Sequence, residues 1–237
     1  MKNLLLASLF FSTHLHMGQR VGNIFSRSIS YLGDSFPEVC SRVSGTCVYT
    51  VTDTSSATPA FDGVYRYDGR PEGKFTERIS EGGKMTAAAG GQPAVNTDGS
   101  GIVYNKLIWG NAPATVKPGD TWTVQIPQPW ELGGPGTETV TVMDVDAPNH
   151  TIRLKREGSS EGFYDNDQHQ IHVVKNGRPC LLDVTPGTTH WVGYTTFKDG
   201  LVIADELLST RAVTLSNDSL RFAAQEREYI LLNEMPA

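Results

Sequence analysis

His169-Gln170-Ile171-His172-Val173-Val174-Lys175-Asn176-Gly177-Arg178-Pro179-Cys180-Leu181-Leu182-Asp183-Val184 decides the fold. Asn-Gly is the favoured pair for a two-residue type I′ turn, because both of its residues tolerate positive φ. A turn at Asn176-Gly177 sets Lys175 opposite Arg178. Counting outward places Val173 against Cys180, Ile171 against Leu182 and His169 against Val184, all on one face. That face is an apolar ladder. Cys180 points into it as a small hydrophobe, which makes it a poor nucleophile or disulfide partner.

Similar alternation extends on both sides. Trp122, Val124 and Ile126 share one face of a predicted strand while Thr121, Thr123 and Gln125 take the other. Ile152 and Leu154 alternate with Arg153 and Lys155, and Ala147-Pro148-Asn149-His150 turns the chain between them and a strand over 139–145. That strand changes phase: Val140 and Val142 face one way, Met143 and Val145 the other. A β-bulge near Met143, or burial of both faces, accounts for it. Upstream, residues 46–52 read as a strand, and 64–67 with 74–79 read as a hairpin across a longer loop. Residues 82–101 are rich in Gly, Ala, Thr and Asn and are expected to form a surface loop, with a strand following at 102–109. In the last third, 204–211 and 223–232 mix helix-favouring with strand-favouring residues, and the reading leans to strand.

The expected class is mainly β, an antiparallel meander forming a barrel-like or sandwich domain with at most one or two short helices. Residues 1–18, with Lys2 ahead of a short apolar run, read as a signal peptide; an apolar N-terminus packed on the domain, or a start at Met17, is the alternative. The run is too short to span a bilayer. Residues 19–38 read as a linker and 39–237 as one β-rich domain, with a division into two lobes near 112–118 left open. Export would place the protein in the periplasm or outside the cell, where Cys40 and Cys47 could close a local disulfide across a short loop.

A net charge of −6, with no Lys/Arg cluster, offers no footprint for nucleic-acid phosphates. Gly158-Ser159-Ser160-Glu161-Gly162 matches the Gly-x-Ser-x-Gly pattern of a serine hydrolase, with Asp183 and His190 following in order as a candidate triad with Ser160. That chemistry needs a strand before the serine and a helix after it. The strand is expected; the helix is not, so the catalytic reading stands as an alternative. Asp165-Asn166-Asp167-Gln168-His169-Gln170-Ile171-His172 gathers metal-ligand types, but His169 and His172 fall on opposite faces of a strand, and no metal site or cofactor is assigned. Gly82-Gly83-Lys84-Met85 lacks the upstream glycine and the following Ser or Thr of a phosphate loop. Asp205 with Glu206, and Glu226 with Glu228, are paired carboxylates read as solvated faces.

Trp130, in a stiff Pro/Gly loop at 127–136, is a candidate to stack on a sugar or apolar ligand or to anchor a partner, or else to plug the core. Trp191 and Tyr194 belong to the core or to a pocket rim. The leading expectation is a non-enzymatic, exported binding module for a small apolar or carbohydrate ligand or a protein partner, contacting it through Trp130, Trp191 and Tyr194. A structural envelope protein without a ligand is the third reading.

Overall fold

Asn176 and Gly177 both take positive φ, +51° and +74°, as a type I′ turn requires. The computed structural model describes residues 15–31, 41–55, 58–67, 71–80, 83–87, 93–96, 102–126, 135–162 and 169–235. The turn joins β10 (Gln170–Lys175) to β11 (Arg178–Lys198), with Val173 opposite Cys180 and Ile171 opposite Leu182. His169 accepts a backbone bond from Val184. Cys180 is half-buried against the ladder and accepts a bond from Asn217.

The remaining strands are β1 (Arg20–Tyr31), β2 (Ser41–Asp53), β3 (Ala60–Tyr67), β4 (Gly73–Ser80), β5 (Gly83–Ala87), β6 (Pro93–Asn96), β7 (Thr121–Ile126), β8 (Gly136–Asp146), β9 (Thr151–Ser160), β12 (Leu201–Ser216) and β13 (Arg221–Met235). They form one antiparallel sheet that does not close. Its order is β6-β5-β4-β3-β2-β1-β13-β12-β11-β9-β8-β7, with β10 beside the first part of β11. The chain thus lays down two meanders, and pairing of β13 with β1 welds them.

Three expectations are corrected. Arg20–Tyr31, expected within a linker, is a strand hydrogen-bonded on both sides. Part of 82–101, expected as a loop, pairs as β5 and β6. The predicted strand at 102–109 is a single bridge from Val103 to Leu201 and then the short helix α1 (Lys106–Trp109). The Asn105 side chain caps α1 by accepting from the Ile108 amide. Capping competes with strand pairing for Asn, which is why a strand-like composition gives way to a helical turn.

The bulge expected near Met143 falls between Val142 and Asp144; it leaves Met143 exposed and Val145 packed on the core. A second bulge in β11, between Pro186 and Thr189, reverses the face that odd-numbered residues occupy. The main core cluster gathers Val51, Phe61 and Ile79 from one meander with Val124, Val140 and Leu154 from the other. Ile102, Ile108, Trp109 and Val116 join it, so the connection between the two sheet edges plugs the inner face; α1 touches both β5 and β7. Strands on both sides of 112–118 therefore share one core. Leu15 is buried in the same cluster, and Gly18 donates to Val51 O.

Candidate functional site

Inward-facing residues on β8, β9, β11, β12 and β13 should read as apolar, and at both ends they do. Ile152, Leu154, Phe197 and Leu207 belong to the main core; Leu182, Val184, Val213, Leu215 and Phe222 form a second cluster with the β10–β11 hairpin. Between the clusters lies a buried polar belt. Register sets Ser160 beside Thr189, Thr189 beside Arg211 and Arg211 beside Glu226. In the adjoining row Glu138 neighbours Gly158, then come Trp191, Ser209 and Glu228. All of these but Gly158 are buried, and Gly158 is half-buried.

The belt is centred on Glu138. Arg156 Nε donates to its two oxygens at 3.1 and 3.0 Å, and Trp191 Nε1 donates to Oε2 at 2.7 Å. The Arg156 Cζ lies over the Trp109 ring, 4.4 Å from its centroid, a desolvated cation–π contact. Trp109 also packs edge-on against Phe197, and its carbonyl accepts from Trp122 Nε1 at 2.7 Å. Asp205 lies inward on β12 opposite Thr195, whose hydroxyl donates to it at 2.5 Å. Burial pushes the Glu138 carboxyl above its ordinary range, against the pull of Arg156 and of the Trp191 hydrogen bond; Asp205 adds to the rise. Burial likewise raises Asp205, although the residue as a whole is only half-buried, with Arg156 and Thr195 opposing.

In the row next to Glu138, Arg211 pairs with Glu226, donating from Nε at 2.8 Å, and reaches the Gly162 carbonyl at 3.3 Å. Replacing buried ion pairs with packed apolar groups is often neutral or stabilising, so stability alone does not call for two of them.

The outer face of the same strands carries an apolar row. Val192 on β11, Leu208 on β12 and Tyr229 on β13 stand side by side in register, 39, 43 and 37% exposed. His190, Thr210 and Arg227 flank the row on one side, and Lys155, Tyr194 and Glu206 on the other. The Arg153 guanidinium lies 5.1 Å from the Tyr194 ring centroid.

Of the residues singled out in the sequence, Trp191 is buried in the belt and Tyr194 is exposed on the opposite face, so the two do not share a surface. Trp130 lies outside the described residues. Ser160 is buried at the inward end of β9, whereas His190 is exposed on the outer face opposite Ser159, and Asp183 pairs with Gln170 at 2.7 Å. The three do not converge. Gly158 and Ser160 stand within a strand rather than at a strand-to-helix elbow. A Cβ on Gly158 would sit 2.3 Å from Trp191 Cζ2, so this glycine makes room for the indole.

Residues 165–168 are likewise outside the described residues, and among those described no group of three or more His, Cys, Asp or Glu is placed to hold a metal ion. Of Gly82-Gly83-Lys84-Met85, residues 83–85 belong to β5. Cys40 is outside the described residues. Residues 41–47, expected as a loop, belong to β2, and Cys47 stands within it. Glu226 and Glu228, expected as a solvated face, are buried inward, and Asp205 faces inward while its neighbour Glu206 is exposed.

Sequence reasoning missed Glu138, Arg156 and Arg211. The available signal was phase: Glu138 keeps step with Val140 and Val142, Arg156 with Ile152 and Leu154, and Arg211 with Val213 and Leu215. A charge in step with a buried face is either paired or functional. Among the described residues no helix is long and apolar enough to cross a membrane. Comparison with known protein families and with curated proteins gives no match to this chain.

Proposed function

We propose that this chain is an exported, non-enzymatic binding module that engages a protein partner through the outer face of β11, β12 and β13. The observation that carries this reading is the in-register apolar row Val192–Leu208–Tyr229 at the centre of the sheet. Contiguous exposed apolar surface with a polar rim is the usual mark of an interaction site. A small molecule needs a concave site that buries most of it, and this face turns away from the core. Sugar stacking on Tyr194 competes with Arg153, which already lies over that ring. Aliphatic and aromatic anchors ringed by His190, Arg227, Lys155 and Glu206 suit a protein surface with an apolar centre and mixed charges at its edge.

Export remains part of the proposal, with any leader ending ahead of Leu15, because Leu15 packs in the core. The test is a photo-crosslinking residue at position 208 in the producing cell, with position 74, exposed on β4 in the other meander, as the control. A discrete adduct at 208 that is missing at 74 supports the reading. No adduct at 208, or the same products at 208 and 74, refutes it.

A further inference from the structure

The two rims of the outer face carry opposite charges in fixed register. On one side of the row Val192–Leu208–Tyr229, His190 and Arg227 stand on either side of Thr210; on the other, Glu206 stands between Tyr194 and Leu231. His190, Arg227 and Glu206 are exposed, and Glu206 makes no ion pair among the described residues. Arg227 donates from Nε to Gln225 at 3.2 Å and keeps its terminal nitrogens for other contacts. We propose, resting on the outer-face reading above, that the partner is a second copy of this chain, related by a twofold axis that runs along the apolar row.

Such an axis reverses strand direction between the copies and lays each strand over its own counterpart. Val192, Leu208 and Tyr229 then meet themselves, the self-complementary contact of an isologous dimer. Glu206 meets Thr210 of the second copy, between that copy's His190 and Arg227, and the same contact repeats across the axis. An axis parallel to the strands would instead set His190 against Arg227 and Glu206 against Glu206, opposing like charges at both rims. Charge therefore selects the axis along the row.

The other charges on these strands are compatible with it. Glu157, next in the row on β9, would face itself, but its carboxylate is already tied to Lys155 at 2.7 Å. Arg153 lies over the Tyr194 ring of its own chain. One row farther out, Ala204 and Asn233 would face Ala212 and Gln225, without charge. Strands β9, β11, β12 and β13, about 4.8 Å apart, with five rows about 7 Å apart, make a patch of roughly 20 by 30 Å, on the order of 600 Å2 per copy. A standard interface takes about 800 Å2 from each partner, so this pairing is reversible and depends on concentration.

Sedimentation velocity of the full chain over a concentration series tests the self-association, and the photo-crosslinking residue at position 208 identifies the occupant. A monomer–dimer equilibrium and an adduct at 208 of twice the chain's mass are expected. Glu206→Arg and Arg227→Glu, both on the exposed face, should each raise the dimer dissociation constant roughly tenfold or more, and the two together should restore most of the loss. A monomer at every concentration that stays in solution, single variants that associate like the native chain, or no rescue in the double variant would overturn the proposal. Adducts at 208 solely of other masses overturn the second copy and leave the outer-face reading standing; no adduct at 208 overturns both.

Discussion

Gly158→Ala tests whether this glycine serves packing or catalysis. Its added Cβ would lie 2.3 and 2.5 Å from Trp191 Cζ2 and Cε2 and 2.6 Å from the Thr137 carbonyl oxygen. Carbon atoms in contact settle at about 3.5 Å, so the indole would have to withdraw by roughly 1.2 Å. It cannot do so freely, because Nε1 is tied to Glu138 at 2.7 Å and a shift of that size breaks the bond. Overpacking costs about 1–3 kcal/mol. Loss of a hydrogen bond to a charged group adds about 1.5–3 kcal/mol. Together they give a destabilisation of about 2.5–6 kcal/mol, or a fall in Tm of roughly 5–24 °C for a chain of this size. Thermal unfolding followed by near-UV circular dichroism reads both the loss and the displaced indole. In a Trp191→Ala background only the carbonyl contact remains, so the cost of Gly158→Ala should drop by at least about 1 kcal/mol, as expected for coupled neighbours. A Tm within a degree or two of the native value, or strict additivity in the double variant, would refute the packing role.

Arg156→Met should destabilise the protein by about 3–5 kcal/mol, because it leaves Glu138 buried without its cation. Adding Glu138→Gln to that variant should recover most of the loss in chemical denaturation, and failure to recover would mean that the charge pair is not the source. Gly177→Ala meets no atom within 4 Å, so its cost is conformational: about 1–2 kcal/mol for an L-residue at φ +74°. A thermal scan should show the smaller shift while the hairpin register persists in nuclear Overhauser contacts between Val173 and Cys180.

What could be read from the sequence followed from periodicity, and what could not followed from its exceptions. The hairpin at Asn176-Gly177 was legible because turn chemistry fixes register locally, and one register then assigns every side chain to a face. Lys106–Trp109 was not legible, since Leu107-Ile108-Trp109 suits a strand and only the Asn105 cap, a single hydrogen bond, tips it to a helix. Pairing of β1 with β13 was equally hidden, because partners some two hundred residues apart leave no local trace.

The belt is a different kind of failure. Glu138, Arg156, Arg211, Glu226 and Glu228 all keep the phase of the buried faces around them, so alternation had already assigned them inward. Composition argues the opposite, that charges belong in water, and for Glu226 and Glu228 it favours a solvated face. Phase is the stronger guide within a strand, because a residue cannot leave its face without a bulge, whereas a buried charge can acquire a partner on the next strand. The bulges in β8, between Val142 and Asp144, and in β11, between Pro186 and Thr189, are places where the phase does change. A charged side chain in step with an apolar face therefore predicts a cross-strand partner of opposite sign. Arg156 with Glu138 and Arg211 with Glu226 meet that expectation on adjacent strands.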